Sequence, residues 1–176
     1  MNPGTSAPST PGLTLDELTA WTHRIAAEVR EGKHEIHADA SERWHVRVHC
    51  DEQVDVWLIS WTEDQGTELH DHGGSAGAYT VVEGQLTEVA WSGRAEGAAA
   101  GRLVDVVRAS GETVVFGSRY VHDVRNLHPE TAVSVHAYSP PLSLMHFYDV
   151  ESGRLVQRTA AWTDEPEAPA PDRIAS

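Results

Sequence analysis

Two histidines separated by one residue, His70 and His72, place the strongest constraint on how this chain folds. They follow a run at 54–61 that is typical of a β-strand, and side chains two residues apart on a strand lie on the same face. Imidazole is a suitable ligand for iron, zinc, copper and nickel. A third imidazole at His122 would complete a three-histidine face and leave other coordination positions open. The spacing therefore predicts a metal centre inside a β-structure.

The rest of the chain is typical of an all-β protein with one helix. Thr14 and Glu17 form a capping box, apolar residues follow at spacings of three and four, and Gly32 is a suitable stop. Beyond residue 43, short strands alternate with turns, which favours a sandwich or a barrel with the helix packed outside. We predict strands near 43–49, 54–61, 76–82, 85–91, 103–109, 113–116, 121–127, 131–139, 144–150 and 155–160.

The chain of 176 residues suits one domain with a single core. Residues 1–12 are rich in proline, glycine, serine and threonine and are expected to form a disordered N-terminal tail. Residues 163–176 form a second tail that is rich in proline and acidic residues. We expect neither tail to carry chemistry, so the predicted domain covers residues 13–162.

Charge and composition narrow the possible partners and location. The net charge of −14 argues against binding to nucleic acid or to an anionic membrane through a basic face. Cys50 is the only cysteine, so no intrachain disulfide can form, which fits a reducing compartment. Residues 1–12 lack the basic and apolar regions of a secretory signal, and no run is long enough and apolar enough to span a membrane. We expect a cytoplasmic monomer.

Several motifs resemble those of one enzyme family. Gly66-Thr-Glu-Leu-His70-Asp-His72 is similar to the first cupin motif, and His122-x3-Asn126 to the end of the second. Together with Ser134-Val-His136-Ala-Tyr138-Ser-Pro-Pro141, they resemble the type I cysteine dioxygenases, the thiol dioxygenase branch of the cupins, over residues 40–150. The resemblance implies a cupin β-barrel, also called a double-stranded β-helix or jelly roll. It also implies Fe(II) bound by His70, His72 and His122, with a relay formed by Ser134, His136 and Tyr138.

The sequence departs from the family pattern at Gly77. Most cupins have a glutamate ligand at this position, and mammalian cysteine dioxygenases have a cysteine that is cross-linked to the tyrosine corresponding to Tyr138. Glycine can supply neither group. The motif therefore provides no fourth protein ligand, and we expect Tyr138 to remain a free phenol.

A second departure concerns the arginine that grips the substrate carboxylate in family members that oxidise cysteine. The ungapped comparison places this arginine near Trp44 and His45. Arg43 and Arg47 lie next to that position, and a guanidinium is the natural partner of a carboxylate. Both are candidate substrate-binding residues, as is Tyr138.

The resemblance implies that both atoms of O2, the co-substrate, are added to the sulfur of a small thiol to give a sulfinic acid. The thiol could resemble cysteine or 3-mercaptopropionate, or it could be a thiol-imidazole such as ergothioneine. Two alternatives remain open. Three histidines and a water also form a catalytic zinc site, as in a cupin hydrolase or isomerase, and the protein could be a non-catalytic cupin that binds a small ligand. The apparent lack of a general-base carboxylate near His70 and His72 favours the dioxygenase.

Overall fold

A computed structural model of the chain describes residues 12–93, 100–163, 165–168 and 170. The expected N-terminal tail falls almost wholly outside these residues, as do positions 164, 169 and 171–176 of the expected C-terminal tail. Within the described residues, one helix precedes the strands. The elements are α1 Leu15–Arg30, β1 His45–Cys50, β2 Asp55–Trp61, β3 His70–Asp71, β4 Ala76–Glu83, β5 Gln85–Trp91, β6 Leu103–Ala109, β7 Thr113–Phe116, β8 His122–Arg125, β9 Ala132–Ser139, β10 Leu144–Glu151 and β11 Arg154–Trp162.

The predicted capping box starts the helix. Thr14 Oγ1 accepts a hydrogen bond from the Glu17 amide, and the Glu17 carboxylate accepts one from the Thr14 amide. The helix then buries Leu18, Ile25 and Val29 against the outer face of a sheet. Burial of this apolar stripe explains why a single helix is stable beside an otherwise β-structured domain.

The strands form two antiparallel sheets in the described part of the chain. One sheet has the order β1-β2-β9-β4-β7, and the other has the order β11-β10-β3-β8-β5-β6. The helix covers the outside of the first sheet, and the inner faces of both sheets enclose the main core. The all-β prediction with an external helix is therefore confirmed.

Alternation along β9 decides which side chains enter the interior. Val133, Val135 and Ala137 pack in the cluster beneath the helix, so the residues between them point to the opposite face. Those residues are Ser134 and His136, followed by Tyr138 at the same parity, and all three are buried. A polar row thus lies inside an apolar barrel, where each member needs a hydrogen-bond partner.

Candidate metal centre

The three histidines predicted from the motif spacing meet inside the barrel. His70 on β3 is the direct cross-strand neighbour of His122 on β8. The ring centroid of His70 lies 4.9 Å from those of both His72 and His122, and the last two are 5.3 Å apart. All three rings are buried. Three imidazoles in one buried cluster are a suitable ligand set for a transition metal.

The hydrogen bonds of the outer ring nitrogens determine which nitrogens face the centre. His70 Nδ1 lies 2.7 Å from the Glu68 carbonyl oxygen, and His122 Nδ1 lies 3.0 Å from Glu88 Oε1. A carbonyl and a carboxylate only accept hydrogen bonds, so both Nδ1 atoms carry the proton. With the proton on Nδ1, the neutral form of each ring presents a lone pair at Nε2. Both Nε2 atoms are buried without a hydrogen-bond partner among the described residues, as expected of metal ligands.

Glu167 supplies a carboxylate at the same point, which the sequence reasoning missed. Its Oε2 lies 2.8 Å from His70 Nε2, and its Oε1 lies 3.1 Å from His72 Nε2. The 2.8 Å contact is close but lacks hydrogen-bond geometry, since neither atom has a hydrogen-bond partner among the described residues. Two ligands bound at about 2.1 Å and at right angles are about 3 Å apart. The donor set therefore fits a metal ion.

The electrostatics of the four groups favour a cation at their centre. Ligand atoms of His70, His72, His122 and Glu167 all lie within 4.8 Å of one another. Burial alone would raise the pKa of Glu167, but the His70 and His72 rings outweigh it and hold that pKa well below its usual value. Burial lowers the pKa of His72 to about 4, although Glu167 opposes this effect. An ionised carboxylate beside a neutral imidazole is stabilised by a positive ion between them.

Glu88 fixes the orientation of the third ligand. Its Oε1 accepts from His122 Nδ1 and, at 3.0 Å, from the Tyr120 hydroxyl, while its Oε2 accepts two hydrogen bonds from Arg108. Burial would raise the pKa of Glu88, but His122 and Arg108 lower it to about 2. The carboxylate is thus ionised and sets the tautomer of His122. No local signal in the sequence identifies Glu88, because its contact with His122 depends on the pairing of β5 with β8.

The relay predicted from the resemblance has a single consistent direction. Tyr138 donates to Glu167 Oε1 at 2.6 Å, so its oxygen accepts from His136 Nδ1 at 3.2 Å. His136 Nε2 then accepts from the Ser134 hydroxyl at 2.9 Å, and Ser134 accepts from the Trp61 indole at 2.8 Å. Burial lowers the pKa of His136 to about 3, which keeps the ring neutral. Burial, followed by the Glu167 charge, raises the pKa of Tyr138 well above its usual value.

The two candidate arginines lie in different places. Arg43 stacks over the Trp61 ring with its guanidinium carbon 4.7 Å from the centroid, and it donates to the Gly66 and Glu167 carbonyl oxygens. Arg47 stacks over Trp57 and lies 3.9 Å from an Asp55 oxygen. Arg43 therefore reaches the segment that contacts the histidines, whereas Arg47 pairs with Asp55 on a neighbouring part of the sheet.

The neighbours of Gly77 explain its departure from the family pattern. Gly77 is directly opposite Tyr138 in the sheet. A Cβ at this position would lie 2.4 Å from Phe116 Cζ, which is far inside van der Waals contact. The Phe116 ring, stacked on His72 at 4.8 Å, thus occupies the space that a side chain at position 77 would need.

Asp71 and His146 form a separate polar group on the outer side of the metal ligands. Asp71 accepts from His146 Nδ1 at 2.8 Å, from the Tyr148 hydroxyl at 2.7 Å and from the Gly73 amide at 2.9 Å. Asp71 thus lies on the opposite face of the strand from its neighbours His70 and His72, as the alternation of side chains requires. These contacts tie β3 to β10 and hold the His-x-His turn in place.

Comparisons with known proteins identify the family. The family model described as cysteine dioxygenase type I matches residues 15–151. The chain is 30% identical over 104 residues to cysteine dioxygenase type 1 from Homo sapiens, covering 57% of this chain and 52% of that protein. The Danio rerio protein of the same name is 30% identical over 112 residues, with the same coverage. The chain thus spans about half the length of the curated relatives it matches.

Solved structures support the fold alone. A recombinant oxalate oxidase in complex with glycolate superposes with a TM-score of 0.52 at 17% identity, covering 66% of this chain and 60% of that chain. A protein from Thermus thermophilus gives a TM-score of 0.50 at 18% identity, covering 60% of this chain and 90% of that chain. The predicted cupin double-stranded β-helix is confirmed. The described residues contain no helix that is long and apolar enough to cross a membrane.

Proposed function

Because the chain belongs to the cysteine dioxygenase type I family, we propose that it is a thiol dioxygenase dependent on non-haem Fe(II). It would add both atoms of O2 to the sulfur of a small thiol and release a sulfinic acid. The thiol provides the electrons and the O2 provides both oxygens, so the reaction needs no external reductant. One observation carries the proposal: ligand atoms of the three histidines that match the family motif meet at one buried point, and the Nε2 atoms of His70 and His122 have no hydrogen-bond partner among the described residues.

In the proposed site, His70, His72 and His122 would hold the iron. The Glu68 carbonyl and the Glu88 carboxylate keep the protons of His70 and His122 on Nδ1, so the inner nitrogens stay available. Bound Fe(II) would supply adjacent positions at which sulfur and O2 meet, which makes their reaction effectively intramolecular. The buried rings of Phe116 and Phe147 limit the access of water to this point.

The remaining residues would position the substrate. His136 donates to the Tyr138 oxygen and so directs the phenolic proton towards the metal side of the barrel. We propose that the Tyr138 hydroxyl donates a hydrogen bond to the substrate carboxylate or to the reacting O2. We further propose Arg43 rather than Arg47 as the carboxylate anchor, because Arg43 is the one that contacts the segment beside the histidines.

An oxygen-electrode screen tests this function. O2 uptake by the iron-loaded protein is measured with cysteine, cysteamine, 3-mercaptopropionate, mercaptosuccinate and ergothioneine. The reaction is then repeated under ¹⁸O2, and the mass of the product is determined by mass spectrometry. We expect one of these thiols to be oxidised with the uptake of one molecule of O2 per molecule of thiol. The product should contain both labelled oxygen atoms. His72→Ala should abolish iron loading and O2 uptake, whereas His37→Ala, at an exposed position, should not. Absence of uptake with every thiol, or full turnover by His72→Ala, would contradict the proposal.

A metal-dependent hydrolase is the second candidate, and one observation favours it. Glu167 places beside His70 and His72 the carboxylate that the sequence reasoning expected to be absent. Three histidines with a zinc-bound water and a nearby carboxylate are a hydrolytic arrangement. Metal analysis of the purified protein separates the two functions, because zinc has no redox chemistry and, unlike iron, cannot support the oxidation of a thiol by O2.

A further inference from the structure

Glu167 is held in the metal site by an ordered segment. Pro166, Glu167 and Ala168 are buried, and Ala168 packs in the main core. Glu167 has a φ of 52°, a left-handed conformation that is uncommon for residues other than glycine. Such a conformation persists where the surrounding contacts determine it. The packing therefore delivers this particular carboxylate to the histidines.

One oxygen of Glu167 is available as a ligand. Oε1 accepts a hydrogen bond from the Tyr138 hydroxyl and lies 3.1 Å from His72 Nε2, whereas Oε2 is buried without a hydrogen-bond partner among the described residues. Oε2 lies 2.8 Å from His70 Nε2, which itself lacks a partner in the same part of the chain. Two adjacent buried polar atoms that make no hydrogen bond are unfavourable, and a cation bound to both would satisfy them. The usual cupin glutamate position is Gly77 here, so this carboxylate reaches the centre from outside both motifs.

The same segment engages both groups that we assign to the substrate. The side-chain carboxylate of Glu167 accepts from Tyr138, and its main-chain carbonyl accepts from Arg43. On its outer side, a cavity of about 260 Å³ is lined in part by Arg43, Glu165, Pro166 and Ala168. A small carboxylate-bearing molecule arriving there would compete with the Glu167 carbonyl for Arg43.

We propose that Glu167 is a fourth protein ligand of the metal at His70, His72 and His122, and that an incoming anionic ligand displaces it. This inference rests on the metal centre of the proposed function. It predicts a resting site with three nitrogens and one carboxylate oxygen. It also predicts that, when a substrate binds, the Glu167 carboxylate leaves the metal and segment 165–168 loses its contacts with Tyr138 and Arg43.

Cobalt(II) binding tests the proposal without any turnover. The dissociation constant for Co(II) is measured by competition with a chelator, and the visible spectrum reports its coordination. We expect Glu167→Gln and Glu167→Ala each to weaken Co(II) binding by about 10-fold or more and to change the spectrum. The control is Glu52→Gln, an exposed carboxylate between β1 and β2, which should behave as wild type. Co(II) binding and spectra unchanged in both Glu167 variants would overturn the assignment.

Azide, a small anion, tests the displacement. Titrated into the Co(II) proteins, it should bind about 10-fold more tightly to the Glu167 variants than to wild type, because no protein carboxylate competes with it. Equal azide affinities would refute displacement. A failure of the metal centre itself is recognised separately, since His72→Ala would then bind Co(II) as tightly as wild type. Failure to oxidise any thiol would leave these coordination measurements intact.

Discussion

Tyr138 is the residue at which the buried relay meets the metal side of the barrel. Its hydroxyl accepts from His136 and donates to Glu167, so its proton has a defined direction. Tyr138→Phe removes this proton without removing an imidazole ligand. We expect kcat for thiol oxidation to fall by about 100-fold or more, with an unchanged iron content. Loss of iron from Tyr138→Phe would instead make the phenol a structural support.

Substitutions of Arg43 and of Arg47 are expected to affect the binding of a substrate carboxylate differently. Arg43→Ala should raise KM for 3-mercaptopropionate or cysteine by about 10-fold or more, because it removes the binding free energy of a hydrogen bond to a charged group. It should leave KM for cysteamine, which has no carboxylate, nearly unchanged. Arg47→Ala serves as the matched variant, because Arg47 stacks on Trp57 near Asp55. An equal rise for all thiols in Arg43→Ala would show that Arg43 acts through packing on Trp61.

Neighbouring strands decide what position 77 can hold. A Cβ at Gly77 would lie 2.4 Å from Phe116 Cζ and 3.0 Å from the Ala137 carbonyl oxygen. We therefore expect Gly77→Ala to lower the free energy of unfolding by about 1–3 kcal/mol, the usual cost of overpacking a core. Urea denaturation measures the change. In a double-mutant cycle, Gly77→Ala should lower the free energy of unfolding by less in the Phe116→Leu variant than in the wild type.

Gly117→Ala is the control for this packing argument. Gly117 follows Phe116 directly, and a Cβ there meets no atom within 4 Å. Its stability should change little. If Gly77→Ala were as stable as Gly117→Ala, the Phe116 ring would not be what excludes a side chain from the position opposite Tyr138.

At the scale of the whole molecule, a bound metal links parts of the chain that are far apart in sequence. The candidate ligands come from the β3 region, from β8 and from the segment at 165–168. A metal that binds only the folded state stabilises it by about 2.7 kcal/mol at a concentration 100 times its dissociation constant. We expect chelation to lower Tm by roughly 5–10 °C. Calorimetry should show no such shift for His72→Ala.

Local patterns in the sequence were sufficient to predict several features. Thr14 and Glu17 are three residues apart, so the capping box depends on contacts within one turn. The His-x-His spacing places two imidazoles on one face because the side-chain period of a strand is two. The same parity places Ser134, His136 and Tyr138 in one row. The family motifs added His122 to the ligand set, and the structure brings these residues together.

Glu88 and Glu167 were beyond the reach of the sequence because their roles depend on long-range contacts. Glu88 meets His122 only after β5 and β8 pair. Glu167 lies in a stretch of proline and acidic residues whose composition is typical of a disordered tail, and only docking against the barrel places it between His70 and Tyr138. Periodicity and capping act over a few residues and can be read directly. The partner of a buried charge is chosen by the packing of the whole chain.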